Sequence, residues 1–271
     1  GWAHLYLYDL NTGELKNPIT SGDWLVREVL GFDPIQREVI IQAAGRVAER
    51  NPYYRELCRV NVDTGSVTNI ASGDHDYVVH KPNTGPIRAG VFSGMATNSC
   101  SGVSPNGKYL VTTRTRVDEA PHSILLDSYG NHILDVEIAD ISGLPDGWQW
   151  PEPVKLLAAD NITEIHGVIF RPSDFTPKKQ YPVVDWTFTN SFYGFVPQGA
   201  FGNDTMSGYA YMSAMALAEL GFITVIIDGR GTSYRSKAFH DEAYGQMHTG
   251  SNLEDHVSGI QQLAKRYPYM D

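Results

Sequence analysis

Cysteine is nearly absent: Cys58 and Cys100 are the only two in 271 residues. Two isolated cysteines make neither a disulfide framework nor a zinc site, so both are read as unpaired structural thiols. Long apolar runs are missing as well. The longest candidate, residues 214–227, is broken by Glu219 and Gly221, whereas a membrane-crossing helix needs about 20 predominantly apolar residues. There is no basic run, and the formal net charge is −10. A nucleic-acid surface needs clustered Lys and Arg to displace phosphate counterions, so nucleic acid is excluded as a partner. The chain opens on Gly1-Trp2-Ala3-His4 with neither an initiator Met nor a signal-peptide pattern. That points to a stretch of a longer protein and leaves the compartment unread.

Catalytic signatures are equally scarce. A nucleophile elbow needs Gly-x-Ser-x-Gly, because only small residues tolerate its sharp strand-to-helix turn. Gly-x-Ser occurs at Gly102-Val103-Ser104 and Gly231-Thr232-Ser233, but the second glycine is replaced by Asn106 and Arg235. His240, His248 and His256 lie near carboxylates without His-Glu-x-x-His spacing, so they read as helix-surface or packing histidines and no metal site is expected. Glu254 and Asp255 read as a solvated helix start favoured by the helix dipole.

What is present first is a repeat. His4 to Leu10 alternates in polarity, turns at Asn11-Thr12-Gly13, and resumes through Ile19-Thr20-Ser21-Gly22-Asp23. Arg55 to Val62 does the same, turning at Asp63-Thr64-Gly65 and resuming through Ile70-Ala71-Ser72-Gly73-Asp74. The Thr-Gly turns are 52 positions apart and the Gly-Asp pairs 51. A looser third copy runs from Ser104 to a turn at Asp127-Ser128-Tyr129-Gly130, its spacing stretched by a Gly-, Pro-, Asn- and Ser-rich insertion at residues 80–100. Strands joined by Asn/Asp and Gly turns are β-hairpins. A period near 50 suits four-stranded β-propeller blades. A β-sandwich is the alternative, although it does not explain why one turn recurs with the same flanks.

The period changes after Gly143-Leu144-Pro145-Asp146-Gly147. Residues 154–159 and 164–170 read as a strand pair around Asp160-Asn161, and Tyr181 to Phe188 reads as an apolar strand. Residues 207–220 have helical spacing ending at Gly221, and residues 222–228 form a β-branched run suited to a strand buried on both faces. Residues 252–267 make a second amphipathic helix that stops before Pro268. This alternation predicts parallel strands covered by helices on both faces, with a further parallel strand to follow.

Here the residues become specific. Asp228-Gly229-Arg230-Gly231-Thr232 with Arg235-Ser236-Lys237-Ala238-Phe239-His240-Asp241 resembles the segment after the fourth strand of dipeptidyl-peptidase-IV-like enzymes in the prolyl oligopeptidase family of serine peptidases. Asp255-His256-Val257, Gln262-Leu263-Ala264 and Arg266-Tyr267-Pro268-Tyr269-Met270-Asp271 resemble the helix leading toward their nucleophile. Leu217 to Phe222 and Tyr181 to Asp185 fit the same template. The resemblance implies the last blades of a β-propeller over residues 1–149 and the N-terminal half of an α/β-hydrolase over residues 150–271. It implies acyl transfer from a serine activated by histidine and aspartate, all three beyond Asp271, so no catalytic residue is expected within the chain. It implies no cofactor and no metal, short peptides as substrates, and is compatible with a homodimer of the parent.

One active-site position is expected inside the chain. The family draws an oxyanion donor, a Tyr hydroxyl, from the end of its third strand. The position matching it here is Phe188, followed by Thr189-Asn190-Ser191, and phenylalanine has nothing to donate. Tyr193 is the candidate replacement; its alternative role is packing. Three readings follow: a serine exopeptidase or oligopeptidase parent, a non-catalytic propeller-hydrolase pseudoenzyme serving as a binding module, and an esterase on the same fold, which the repeats disfavour.

Overall fold

The computed structural model describes residues 1–79, 102–187, 194–202, 205–246 and 252–271. Two compact units emerge, one of Gly1–Thr115, Pro121–Ala139 and Tyr234–Lys237, the other of Arg116–Ala120, Asp140–Ser233 and Ala238–Asp271.

The first unit is built from antiparallel meanders. β1 (Tyr6–Tyr8) and β2 (Leu15–Pro18) form a hairpin. β3 (Leu25–Asp33), β4 (Glu38–Ala44), β5 (Arg55–Asn61) and β6 (Val67–Ala71) form one four-stranded sheet. β7 (Asp76–Val78), β8 (Tyr109–Thr115), β9 (His122–Asp127) and β10 (His132–Ile138) form another. The described strands close no barrel.

The repeated turns share their chemistry. Asp9 Oδ1 accepts from the backbone N–H of Asn11 and Thr12, and Asn61 Oδ1 accepts from those of Asp63 and Thr64. In each turn the glycine N–H returns to the first carbonyl at 2.9 Å, with φ of 72° at Gly13 and 71° at Gly65. A short Asx side chain that mimics a backbone turn, followed by a left-handed glycine, is why these two stretches fold alike.

The glycines of the second and third turns also meet the preceding repeat. A Cβ on Gly65 would lie 2.8 Å from the carbonyl oxygen of Ile19, and one on Gly130 would lie 2.3 Å from that of Ile70. Ile19 and Ile70 open the two Gly-Asp repeats found in the sequence. The same close approach therefore recurs from sheet to sheet.

The middle sheet is covered on both sides. Val39, Ile41, Ala43, Cys58 and Val60 pack with Leu5, Leu7 and Ile19, while Ile40, Leu57 and Ile70 pack with Tyr77, Leu110, Ile124 and Leu126. Alternate side chains of β4 thus serve two cores, which is why its apolar residues do not alternate with polar ones.

In the second unit β11 (Glu152–Leu157), β12 (Glu164–Phe170), β13 (Val183–Asp185) and β14 (Ile223–Asp228) make one sheet in the order β11-β12-β14-β13. The parallel pairing expected from the alternation holds for β13 and β14, and the strand pair read around Asp160-Asn161 is β11 with β12. β13 runs parallel to β14, but β12 is antiparallel to both β11 and β14. Hydrophobic period reports which faces are buried and carries no information on strand direction. The apolar strand expected to reach Phe188 has regular pairing only over Val183–Asp185.

Both faces are covered, as the alternation predicts. Ile165, Ile169, Ile223, Val225 and Ile227 pack with Leu263 of α3 (Leu253–Arg266). Val168, Phe170 and Ile226 pack with Ala210, Tyr211, Ala214 and Ala218 of α1 (Thr205–Glu219). A short helix, α2 (Lys237–Asp241), lies between β14 and α3 in the chain. Beyond α3 the backbone returns parallel to the start of β13, with Tyr181 N–H bonding Tyr269 O at 2.8 Å and Asp271 N–H bonding Tyr181 O at 2.9 Å.

Candidate active-site end of the mixed sheet

In open α/β sheets, ligands and reacting groups gather outside the carboxyl ends of the parallel strands. In this chain those ends are Asp185 on β13 and Asp228 on β14. Both are carboxylates that end β-branched runs.

All six residues of β14 are buried, so Asp228 is drawn inside with the strand. Its two oxygens accept the backbone N–H of Phe195 at 2.7 Å and of Val196 at 3.1 Å. Burial pushes its carboxyl up to about 6, against the two N–H donors and the nearby His256, which favour the ionised form.

The Gly-Arg-Gly turn after β14 brings the chain hard against α3. A Cβ on Gly229 would lie 2.9 Å from Cβ of Asn252 and 3.0 Å from Cβ of Asp255, so only glycine permits the approach. The turn then delivers Arg230 to Asp255. Asp255 accepts the Arg230 N–H at 2.8 Å, Nη2 of the same guanidinium at 2.9 Å, and the Ala159 N–H at 2.9 Å. Arg230 Nη1 also reaches Asp160 Oδ2 at 3.2 Å, and hydrogen bonding to Asp255 holds the guanidinium pKa above its ordinary value.

This corrects one sequence reading. Glu254 is exposed, as a solvated helix start should be, but Asp255 is buried and fully engaged. A carboxylate is tolerated there because a fixed guanidinium and backbone donors replace its water.

His256, one residue on, is 1% exposed. Its Nδ1 lies 2.8 Å from Asp185 Oδ2, and its Nε2 lies 3.5 Å from Thr187 Oγ1, the outer limit for a hydrogen bond. The packing expectation for this histidine therefore holds in a stronger form, as a buried imidazole paired with a half-buried carboxylate. His240 is half-buried, and His248 lies outside the described residues. Ser104 closes the turn ahead of β8, its Oγ donating to Asn106 Oδ1 at 2.8 Å.

Phe188 and Tyr193, the two oxyanion candidates, lie outside the described residues, as do Thr189, Asn190, Ser191 and Cys100. Among the described residues no three His, Cys, Asp or Glu side chains converge as metal ligands do. The sequence reading missed the Asp185–His256 pair, since 71 positions separate the partners and no local pattern links them. Asp228 had a usable signal: a carboxylate ending a wholly apolar strand must find buried donors.

Residues 1–113 match the dipeptidyl peptidase IV N-terminal region, and residues 209–271 match the prolyl oligopeptidase family. In chain order, these two matches support the prolyl oligopeptidase family, on its dipeptidyl-peptidase-IV-like side. Among its relatives, human dipeptidyl peptidase 8 is 27% identical over 73% of this chain and 22% of its own length. The probable dipeptidyl peptidase 4 of Aspergillus flavus is 25% identical over the whole chain and 31% of its own length. A solved structure from Bacteroides ovatus, assigned as a dipeptidyl aminopeptidase IV, superposes with a TM-score of 0.75 at 23% identity, covering 100% of this chain and 36% of that one. Porphyromonas gingivalis dipeptidyl peptidase 4 gives 0.67 at 22% identity, with 100% and 33% covered. At those identities the two structures speak to the fold alone. The chain spans about a third or less of the length of these family members.

Proposed function

We propose that the chain is the part of a dipeptidyl-peptidase-like serine exopeptidase or oligopeptidase that joins a substrate-screening propeller to the catalytic sheet. On this reading residues 1–149 are C-terminal propeller blades and residues 150–271 are the first half of an α/β-hydrolase domain. The observation that supports it most is one coincidence: a mixed sheet ordered β11-β12-β14-β13 with helices on both faces, ending in Asp228-Gly229-Arg230-Gly231, within the unit that holds the 209–271 family match.

The substrates are short peptides, and the chemistry is attack by a serine with an oxyanion hole opposite. No Gly-x-Ser-x-Gly occurs in these 271 residues, so the chain is inactive by itself and the triad is supplied from sequence outside it. No cofactor takes part, and a homodimer of the longer protein fits the reading. Phe188 favours one alternative. A missing oxyanion donor typically costs about 2.7–4 kcal/mol of barrier lowering, and a pseudoenzyme serving as a binding module would tolerate that loss.

The test uses a fluorophosphonate probe and a dipeptide nitroanilide on the 271-residue chain and on the longer gene product. The chain is expected to be silent in both assays and the longer product to be labelled and to turn over. A longer product silent in both supports the pseudoenzyme, and labelling of the short chain would reveal a nucleophile outside this reading.

A further inference from the structure

The buried polar groups at the carboxyl end of the sheet are engaged at two separate places, one through backbone amides and one through side chains. Asp228 presents both oxygens to consecutive N–H groups, Phe195 at 2.7 Å and Val196 at 3.1 Å, and spends them on no described side chain. Phe195 and Val196 are themselves buried, in the core that includes Ala200, Ala210 and Tyr211. At the other place, His256 of α3 meets Asp185 at the last residue of β13 and reaches toward Thr187 two residues on. The Trp186 N–H between them bonds Val225 O at 2.8 Å. A buried ionisable group is costly, and a short apolar side chain would fill either position without that cost. Two such groups, each engaged at one end of the same chain excursion, call for an explanation beyond packing.

We propose that Asp228 and the Asp185–His256 pair are positioning residues, a two-footed clamp fixing the backbone where it leaves β13 at Trp186–Thr187 and where it returns at Phe195–Val196. Both oxyanion candidates, Phe188 and Tyr193, fall between the feet in sequence. The clamp's bearing on catalysis therefore rests on the peptidase reading, because an oxyanion donor is effective only when held in place beforehand. None of the three residues touches substrate on this reading; Asp228 acts through the two amides it accepts, and Asp185 with His256 through the strand end their side chains tie to α3.

Amide hydrogen exchange on the 271-residue chain, resolved by residue, tests the clamp. Asn offers one acceptor where the carboxylate offers two, so Asp228→Asn is expected to lower protection at least tenfold at Phe195 or Val196. His256→Gln is expected to lower it at least tenfold at Trp186. In each variant the Ile226 amide of the sheet centre is expected to stay within about twofold of wild type, which general destabilisation would not allow. A smaller loss at either foot, or an equal loss at Ile226, overturns the clamp. Should a variant fail to fold, wild-type exchange decides: its Phe195, Val196 and Trp186 amides are expected to be protected like Ile226, and free-peptide rates at any of them overturn it. Exchange does not depend on hydrolysis. A longer product silent to fluorophosphonate would sink the peptidase reading and leave the clamp standing.

Discussion

At the scale of single residues, burial sets the chemistry more than neighbours do. Asp228 carries a carboxyl pushed up to about 6 from an ordinary 3.8. The folded chain therefore holds that proton more tightly than the unfolded chain does. The group's contribution to stability is full below about 3.8 and is lost as the pH rises through about 6. Asp228→Asn removes this dependence, so it should destabilise the protein more at pH 4.5 than at pH 7.5, by about 2 kcal/mol. Denaturant titrations of both proteins at the two pH values read the difference, and an equal loss at both would refute the assignment. Cys58 is governed by the same force in a different group. Its thiol is fully buried and pushed up to about 12, although Arg46 Nη1 at 3.1 Å favours the thiolate. Since the thiolate is the reactive species, Cys58 in a Cys100→Ser background should ignore a disulfide reagent at pH 8 until the protein unfolds. Fast labelling of the native protein would contradict the burial.

Among elements, the recurring turn is where sequence and structure correspond most closely. Gly13, Gly65 and Gly130 all have positive φ, but their surroundings differ. A Cβ on Gly13 meets nothing within 4 Å, whereas on Gly65 and Gly130 it would meet a carbonyl oxygen at 2.8 and 2.3 Å. Replacement by alanine should therefore cost about 1–2 kcal/mol at Gly13, from the left-handed backbone alone. At the other two positions a further cost of about 1–3 kcal/mol is expected as the neighbouring sheets are forced apart, and Gly130→Ala should be the worst. Thermal melts of the three variants give the order, and a Gly13→Ala as damaging as Gly130→Ala would sink it. These turns were legible because an Asx residue and a glycine carry the whole conformation locally. β14 was legible for a similar reason, as a short β-branched run bounded by Gly221 and Gly229. β3 and β4 were not, because β4 is buried on both faces and β3 shifts register twice against it, so neither alternates. The pairing of β12 with β14, the burial of Asp255 and the Asp185–His256 pair all depend on partners distant in sequence, which no local period encodes.

Across the whole molecule, a net charge of −10 competes with an exposed sheet edge. All seven residues of β10 are exposed, among them Ile133, Leu134, Val136 and Ile138, and among the described residues the strand pairs on one side only. An open edge with apolar side chains is a template for pairing with another chain. Two features oppose that here. The register of β10 against β9 shifts twice, which twists the edge, and Asp135 and Glu137 interrupt the apolar residues. Asp135 is already engaged with His122 and His132 at 2.8 and 3.0 Å, which leaves Glu137 as the exposed edge carboxylate outside that cluster. Neutralising Glu137 should then promote association far more than neutralising a carboxylate elsewhere, although the net charge changes equally. Glu137→Gln is expected to raise light scattering at high protein concentration, while Glu14→Gln, also on an exposed strand margin, leaves it near wild type. If the two variants associate to the same extent, overall charge rather than the edge controls solubility, and the gatekeeping role of Glu137 fails.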